Sequence, residues 1–196
     1  MVAANDLTHI DAHGHARMVD VTQKPQTQRV AVARCTISSS RSAIASLSAG
    51  PENDVFAAAR VIGIQVAKLT PDLIPLCHPL LIGDVALDFE IEADHIKIEA
   101  RVESFGQTGV EMEALTACAA AALAICDMCN TLDPLMAVEG LRVWEKRGGR
   151  SGTWRFDADT PEQANTAEQA DTAEQADTPE QDGQPGSTRT EASDRG

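Results

Sequence analysis

The chain has 196 residues, 43% of them hydrophobic and 3% aromatic, and a formal net charge of −14. That acidity argues against nucleic acid or an anionic membrane surface as the main partner, though it leaves room for a local basic pocket that takes a phosphorylated small molecule. The five cysteines are an odd number, residues 1–28 are polar with no apolar leader core, and no apolar run reads as long enough to span a bilayer; a cytoplasmic protein with reduced thiols is expected.

Two parts are expected. Residues 157–196 hold eleven Asp/Glu against two Arg, largely in a degenerate six-residue repeat that starts at Asp159, Asn165, Asp171 and Asp177. Such a segment cannot bury enough apolar surface to offset its chain entropy, so it reads as a disordered acidic tail. Residues 1–156 suit one globular domain with a true core.

Along that domain, residues 29–37 are small and β-branched with near period-2 alternation, a strand. Residues 41–47 suggest a short helix. In 54–69, helical spacing of Val55, Ala58, Ala59, Ile62 and Val66 predicts a helix, with Asn53 or Asp54 as its N-cap. Residues 85–89 and 96–102 alternate again across a short polar connection at 92–95, a hairpin. Residues 110–130 form an Ala/Leu-rich helix that is apolar on most faces, and 141–146 a last strand. The order is that of an α+β, ferredoxin-like split βαβ fold: an antiparallel sheet with its helices on one face. The second face needs a cover, so a homo-oligomer is expected.

The densest chemistry lies in Leu76-Cys77-His78, set between Pro75 and Pro79. Proline fixes its own φ and biases its predecessor towards extended backbone, so the thiol and imidazole should sit on a stiff, non-helical corner. Thirty residues on, Thr108-Gly109 opens the long helix, with Glu111 and Glu113 in its first turns; Thr108 and Glu111 have the spacing of a capping box. A rigid Cys-His corner beside acids at a helix start suits acid–base work. Asp127 stands out in an Ala/Leu/Cys stretch. It lies about 40° around the helix from Glu113 but about 21 Å along it, so the two can share a site only through a second chain or along a groove.

Cys126 and Cys129 form a CxxC on that helix, where two core thiols are favoured over a metal site, and His9, His13 and His15 form a loose cluster; no metal is expected at either. The stretch Glu145-Lys146-Arg147-Gly148-Gly149-Arg150-Ser151-Gly152 is a basic glycine-rich loop suited to an anion, and Lys24, Arg29 and Lys68 add candidate cations.

Taken together, Leu7-Thr8-His9-Ile10, Met18-Val19-Asp20-Val21, Asp54-Val55-Phe56, the run from Asp72 to Leu80, the run from Gly109 to Thr116, Asp127-Met128-Cys129 and Gly148-Gly149-Arg150-Ser151-Gly152 resemble the MoaC family, the cyclic pyranopterin monophosphate synthases of molybdenum cofactor biosynthesis. The resemblance implies a ferredoxin-like subunit in a hexamer, a trimer of dimers, with the pocket between subunits and no metal or cofactor. It implies conversion of a cyclised GTP, supplied by a GTP 3′,8-cyclase, to cyclic pyranopterin monophosphate with release of pyrophosphate. By position, Leu76, Cys77, His78, Met112 and Glu113 resemble the family's substrate-binding segments, Asp127 its active-site aspartate, and Lys24, Arg29 and Lys68 its basic pocket positions. His78, Glu113 and Asp127 are then the candidate catalytic groups.

Two positions depart from the family pattern. Glu52 and Asn130 stand where the family carries its principal acid–base lysines, and neither can act as a tunable ammonium. The departures predict weaker triphosphate binding and impaired turnover, and the alternative of a non-catalytic ligand-binding homologue.

Overall fold

The computed structural model describes residues 7–49, 52–150 and 152–156; the side chains of residues 48, 49, 52 and 53 lie outside that description, as does the acidic segment 157–196 with the expectation of disorder placed on it. The elements run β1 (Thr27–Ser38), α1 (Arg41–Ala49), α2 (Glu52–Lys68), α3 (Thr70–Leu73), β2 (Ile82–Ile91), β3 (His95–Gly106), α4 (Glu111–Cys129), β4 (Ala137–Arg147) and β5 (Thr153–Arg155). The strands form one sheet in the order β2-β3-β1-β4-β5, with every neighbouring pair antiparallel. Its first four strands and two long helices have the split βαβ order expected. The three-residue β5 and four-residue α3 were not expected; each is too short to show a period.

Alternation in β1 and β3 builds the core. Ala31, Ala33, Cys35 and Ile37 on β1 and Ile96, Ile98, Ala100 and Val102 on β3 face the same way and are buried. The 92–95 connection closes the expected hairpin, with the Glu92 N–H donating to the His95 carbonyl at 2.9 Å. Helix α4 lies across this face through Ala114, Ala117, Cys118, Ala121 and Ile125. The Cys35 and Cys118 sulfurs, 3.3 Å apart, mark its closest approach to β1.

Helix α2 differs from its sequence reading in two respects. It starts at Glu52, so Asn53 and Asp54 lie inside its first turn and do not cap it. Its core face is Phe56, Ala59, Gly63 and Ala67, whereas Ile62, expected inward, is exposed beside Val61. The reason is closeness of approach: a Cβ on Gly63 would sit 2.6 Å from Leu87 Cδ2 and 3.0 Å from the Ala117 carbonyl oxygen. Small residues four apart let α2 pack onto α4 and turn the larger ones outward.

The other sheet face is less apolar than expected. Arg34 pairs with Glu99, Arg101 with Glu103, and Lys97 with Glu92. Arg34 also lies over the Trp144 ring, 4.8 Å from its centroid. Large exposed apolar side chains include Phe105 near the end of β3 on this face, and elsewhere Val61 and Ile62 on α2, Leu123 and Met128 on α4, and Leu81 and Leu135 in connections. The estimate of apolar length needs amending too: α4 is long and apolar enough to cross a membrane by length and composition. Its inner face is nonetheless packed into the core described above.

Candidate active site

Buried polar contacts set the proline-bracketed corner against the start of α4. Thr70, fully buried, donates to the Ala67 carbonyl at 3.0 Å and lies 2.6 Å from the Thr116 hydroxyl, which also donates to the Glu113 carbonyl at 3.1 Å. Pro71, in the first turn of α3, suits a helix start. The chain then leaves the helix at Ile74, in extended backbone, and turns, with the Cys77 N–H donating to the Ile74 carbonyl at 2.9 Å. Leu76, Cys77 and His78 are therefore non-helical, as expected, and line a cavity of about 730 Å³ together with Met112 and Glu113.

Part of the cavity wall is cationic. Lys24, Arg29, Lys146 and Arg147 line it, with Gly148 and Gly149 of the β4–β5 connection. Gln107 organises it: its carbonyl accepts from Arg29 Nη2 at 3.2 Å and its side-chain amide donates to the Lys24 carbonyl at 3.0 Å. Arg29 Nε is buried without a hydrogen-bond partner. Gly149, at φ +70°, lies against this guanidinium so closely that a Cβ there would be 1.9 Å from Nη1, and a Cβ on Gly148, at φ +103°, would be 2.1 Å from the Gln28 carbonyl oxygen. Both glycines are demanded by backbone conformation and by space.

Glu113 is 3% exposed. Burial pushes its pKa up to about 7, a shift opposed by its backbone N–H and reinforced by the nearby charge of Glu111. It is thus poised to give or take a proton near neutral pH. Burial, and then the charge of Glu113, raise the Cys77 thiol, so it stays protonated and is a poor nucleophile. Glu111 does not cap the helix. Val110 is the N-cap and makes no side-chain capping bond, so the capping box with Thr108 does not form; Glu111 lies 3.7 Å from Lys146 Nζ instead.

The structure thus gathers Lys24, Arg29, Leu76, Cys77, His78, Met112 and Glu113 around one cavity, which Asp127 and Lys68 do not line. Asp127 is exposed in the last turn of α4, and Lys68 is exposed at the end of α2. Within one chain the acid–base site read from Glu113 and Asp127 together does not assemble. Asn130 follows directly after α4, its N–H 3.4 Å from the Asp127 carbonyl. His9 reaches the cavity, while His13 and His15 stack on each other and their backbone N–H groups donate to Asp11. Among the described residues no group of three or more His, Cys, Asp or Glu is placed to hold a metal ion. Cys126 and Cys129 pack as core thiols. Sequence reading gave no part to Gln107, which carries no spacing signal; its partners come from segments more than seventy residues away.

The chain matches the MoaC family over residues 18–149. It is 52% identical over 153 residues to the cyclic pyranopterin monophosphate synthase of Novosphingobium aromaticivorans, a match covering 77% of this chain and 98% of that protein. The enzymes of the same name from Thermomicrobium roseum and a Roseiflexus species are 48% identical over 163 residues and 51% identical over 152. These matches cover 81% and 76% of this chain and 98% and 96% of those proteins. The cavity lining from Val19 to Gly149, with helices α2 and α4, falls inside the matched span, and the chain belongs to the MoaC family.

Proposed function

We propose that this chain is a cyclic pyranopterin monophosphate synthase acting in molybdenum cofactor biosynthesis. Its substrate is 3′,8-cyclo-7,8-dihydroguanosine triphosphate, which it rearranges to cyclic pyranopterin monophosphate, with pyrophosphate as the leaving group. The observation that carries this reading is that one cavity combines two sets of groups: a buried Glu113 with pKa about 7, with Cys77 and His78, and the cations Lys24, Arg29, Lys146 and Arg147. The first set suits proton transfer at the purine-derived ring, with His78 and Glu113 as the acid–base groups. The second suits the triphosphate, whose charge Arg29, Lys24 and the Gly148-Gly149 loop would neutralise. The proposed steps are proton transfers and phosphate displacement, for which no metal or cofactor is assigned.

Asp127 and Lys68 enter this reading from a neighbouring protomer, in a homo-oligomer of the trimer-of-dimers type. The exposed apolar side chains on α2 and α4 support such contacts. A cytoplasmic enzyme supplied by a GTP 3′,8-cyclase completes the picture.

Glu52 and Asn130 impair this activity in our reading, since a carboxylate and an amide replace cations at a triphosphate site. The same two residues favour a second reading, a non-catalytic homologue that keeps the pocket. Turnover of the cyclised triphosphate by the purified chain, and by the Glu52→Lys/Asn130→Lys variant, tests both. Slow turnover that rises at least tenfold in the variant supports the impaired enzyme. Full turnover by the unmodified chain refutes impairment. No turnover by either protein, with substrate-analogue binding intact, favours the non-catalytic homologue.

A further inference from the structure

The relatives reach 96–98% of their own length while covering 76–81% of this chain, and the family match stops at residue 149. The acidic segment 157–196 thus lies outside the family match, and most of it lies outside what the chain shares with these relatives. It carries eleven Asp/Glu against two Arg.

Where it leaves the fold is informative. Gly152 lines the cavity, β5 occupies Thr153–Arg155, and the Phe156 N–H donates to the Trp144 carbonyl at 2.8 Å. The acidic segment therefore begins five residues from the cavity lining, about 17 Å of extended chain. Ten further residues span about 33 Å when extended, more than enough to return to the cavity.

The charges there are complementary. The cavity brings Lys24, Arg29, Lys146, Arg147 and Arg150 against Asp20, Glu111 and Glu113, a cationic excess in a chain that is otherwise acidic. A polyanion tethered this close has a high effective concentration at a cationic site. The repeat spaces its carboxylates three residues apart, so several can meet cations drawn from β1, β4 and the 148–152 loop together.

We infer that the cationic cavity binds this chain's own acidic segment 157–196, which competes there with polyphosphate ligands. The inference goes beyond the proposed reaction and needs only that the cavity takes anions. It makes apparent affinity for the ligand less salt-dependent than it would be without the segment, because salt weakens the ligand and its competitor together.

The test compares the full chain with a full-length variant whose eleven Asp/Glu in 157–196 are replaced by Asn/Gln. Inorganic triphosphate binding is measured by calorimetry at 50 mM and 500 mM salt. The variant is expected to bind five- to tenfold tighter at low salt, with the difference shrinking below twofold at high salt. Equal affinities at low salt overturn the inference.

A second readout needs no ligand binding. Carbodiimide crosslinking of the unmodified chain, mapped by mass spectrometry in the monomer band, should join carboxylates of the segment to Lys24 or Lys146 and lose those links when triphosphate is added. Links only to lysines away from the cavity, such as Lys68 and Lys97, overturn it. Should neither protein bind triphosphate, the substrate reading of the cavity falls; crosslinks to Lys24 or Lys146 would then still uphold the contact, and their absence would overturn it.

Discussion

The hydroxyls of Thr70 and Thr116 lie 2.6 Å apart in the protein interior, joining the start of α3 to the second turn of α4. This contact fixes the distance between the Cys77-His78 corner and Glu113, which sit a few residues further along on either side. Thr116→Val keeps the shape and removes the hydroxyl. Thr70 retains the Ala67 carbonyl as acceptor, so the expected cost is about 1 kcal/mol, the net worth of one hydrogen bond. Urea denaturation should show that loss, and KM should rise severalfold with a smaller change in kcat. An unchanged KM would mean the corner is positioned by other contacts.

Glu113 sets a pH dependence whose sign follows from its raised pKa. Below about pH 4.5 the carboxyl is protonated folded or unfolded and contributes no pH dependence. Between 4.5 and about 7 the folded state holds the proton and the unfolded state does not, so stability falls as pH rises. Above 7 the full penalty remains, at most about 3 kcal/mol. Glu113→Gln should therefore be more stable than the unmodified protein at pH 8 and nearly equal to it at pH 4, by urea melts. It should also lose most of its turnover, together with the limb of the pH–rate profile near 7. Equal stability at pH 8 would show that the carboxylate is solvated when charged.

Three glycines separate backbone strain from a role in binding. Gly140 has φ +64° and open space where a Cβ would go, whereas Gly149 has φ +70° and would drive a Cβ into the Arg29 guanidinium. Each alanine variant should cost about 1 kcal/mol in stability from the left-handed backbone alone. Gly149→Ala, unlike Gly140→Ala, should also weaken triphosphate binding, by about tenfold, as one charge-assisted contact is displaced. Gly148→Ala should be the most destabilising of the three, because its clash is with the backbone carbonyl of Gln28. Equal binding by the Gly140 and Gly149 variants would remove Arg29 from the anion site.

What the sequence discloses follows from which forces leave a periodic trace. Alternation marked β1, β2 and β3, because each buries one face and pairs along its length; the hairpin at 92–95 was legible for the same reason. The Pro75 and Pro79 bracket foretold the non-helical corner, since proline acts locally. Ile62 misled because periodicity gives most weight to large apolar residues, while α2 meets α4 through Ala59, Gly63 and Ala67. The capping box failed because Glu111 had a tertiary partner in Lys146, 35 positions away in sequence and out of reach of any local rule. Asp127 and Lys68 belong to the candidate site by likeness alone, and the geometry of one chain puts neither at the cavity.

That separation makes its own prediction. Glu113 and Asp127 are fourteen residues apart on one helix, about 21 Å along its axis, and Asp127 does not line the Glu113 cavity, so a compact site using both takes them from different protomers. Glu113→Gln and Asp127→Asn should each abolish most turnover alone. Co-expressed in equal amounts and assembled at random, they should regain about a quarter of the unmodified rate, because a site between two chains draws one intact copy of each residue that often. Recovery near that value would place both carboxylates in one intersubunit site. No recovery, with mixed oligomers verified by two affinity tags, would rule out a shared intersubunit site, and full activity of Asp127→Asn alone would leave Asp127 a surface residue of the α4 terminus.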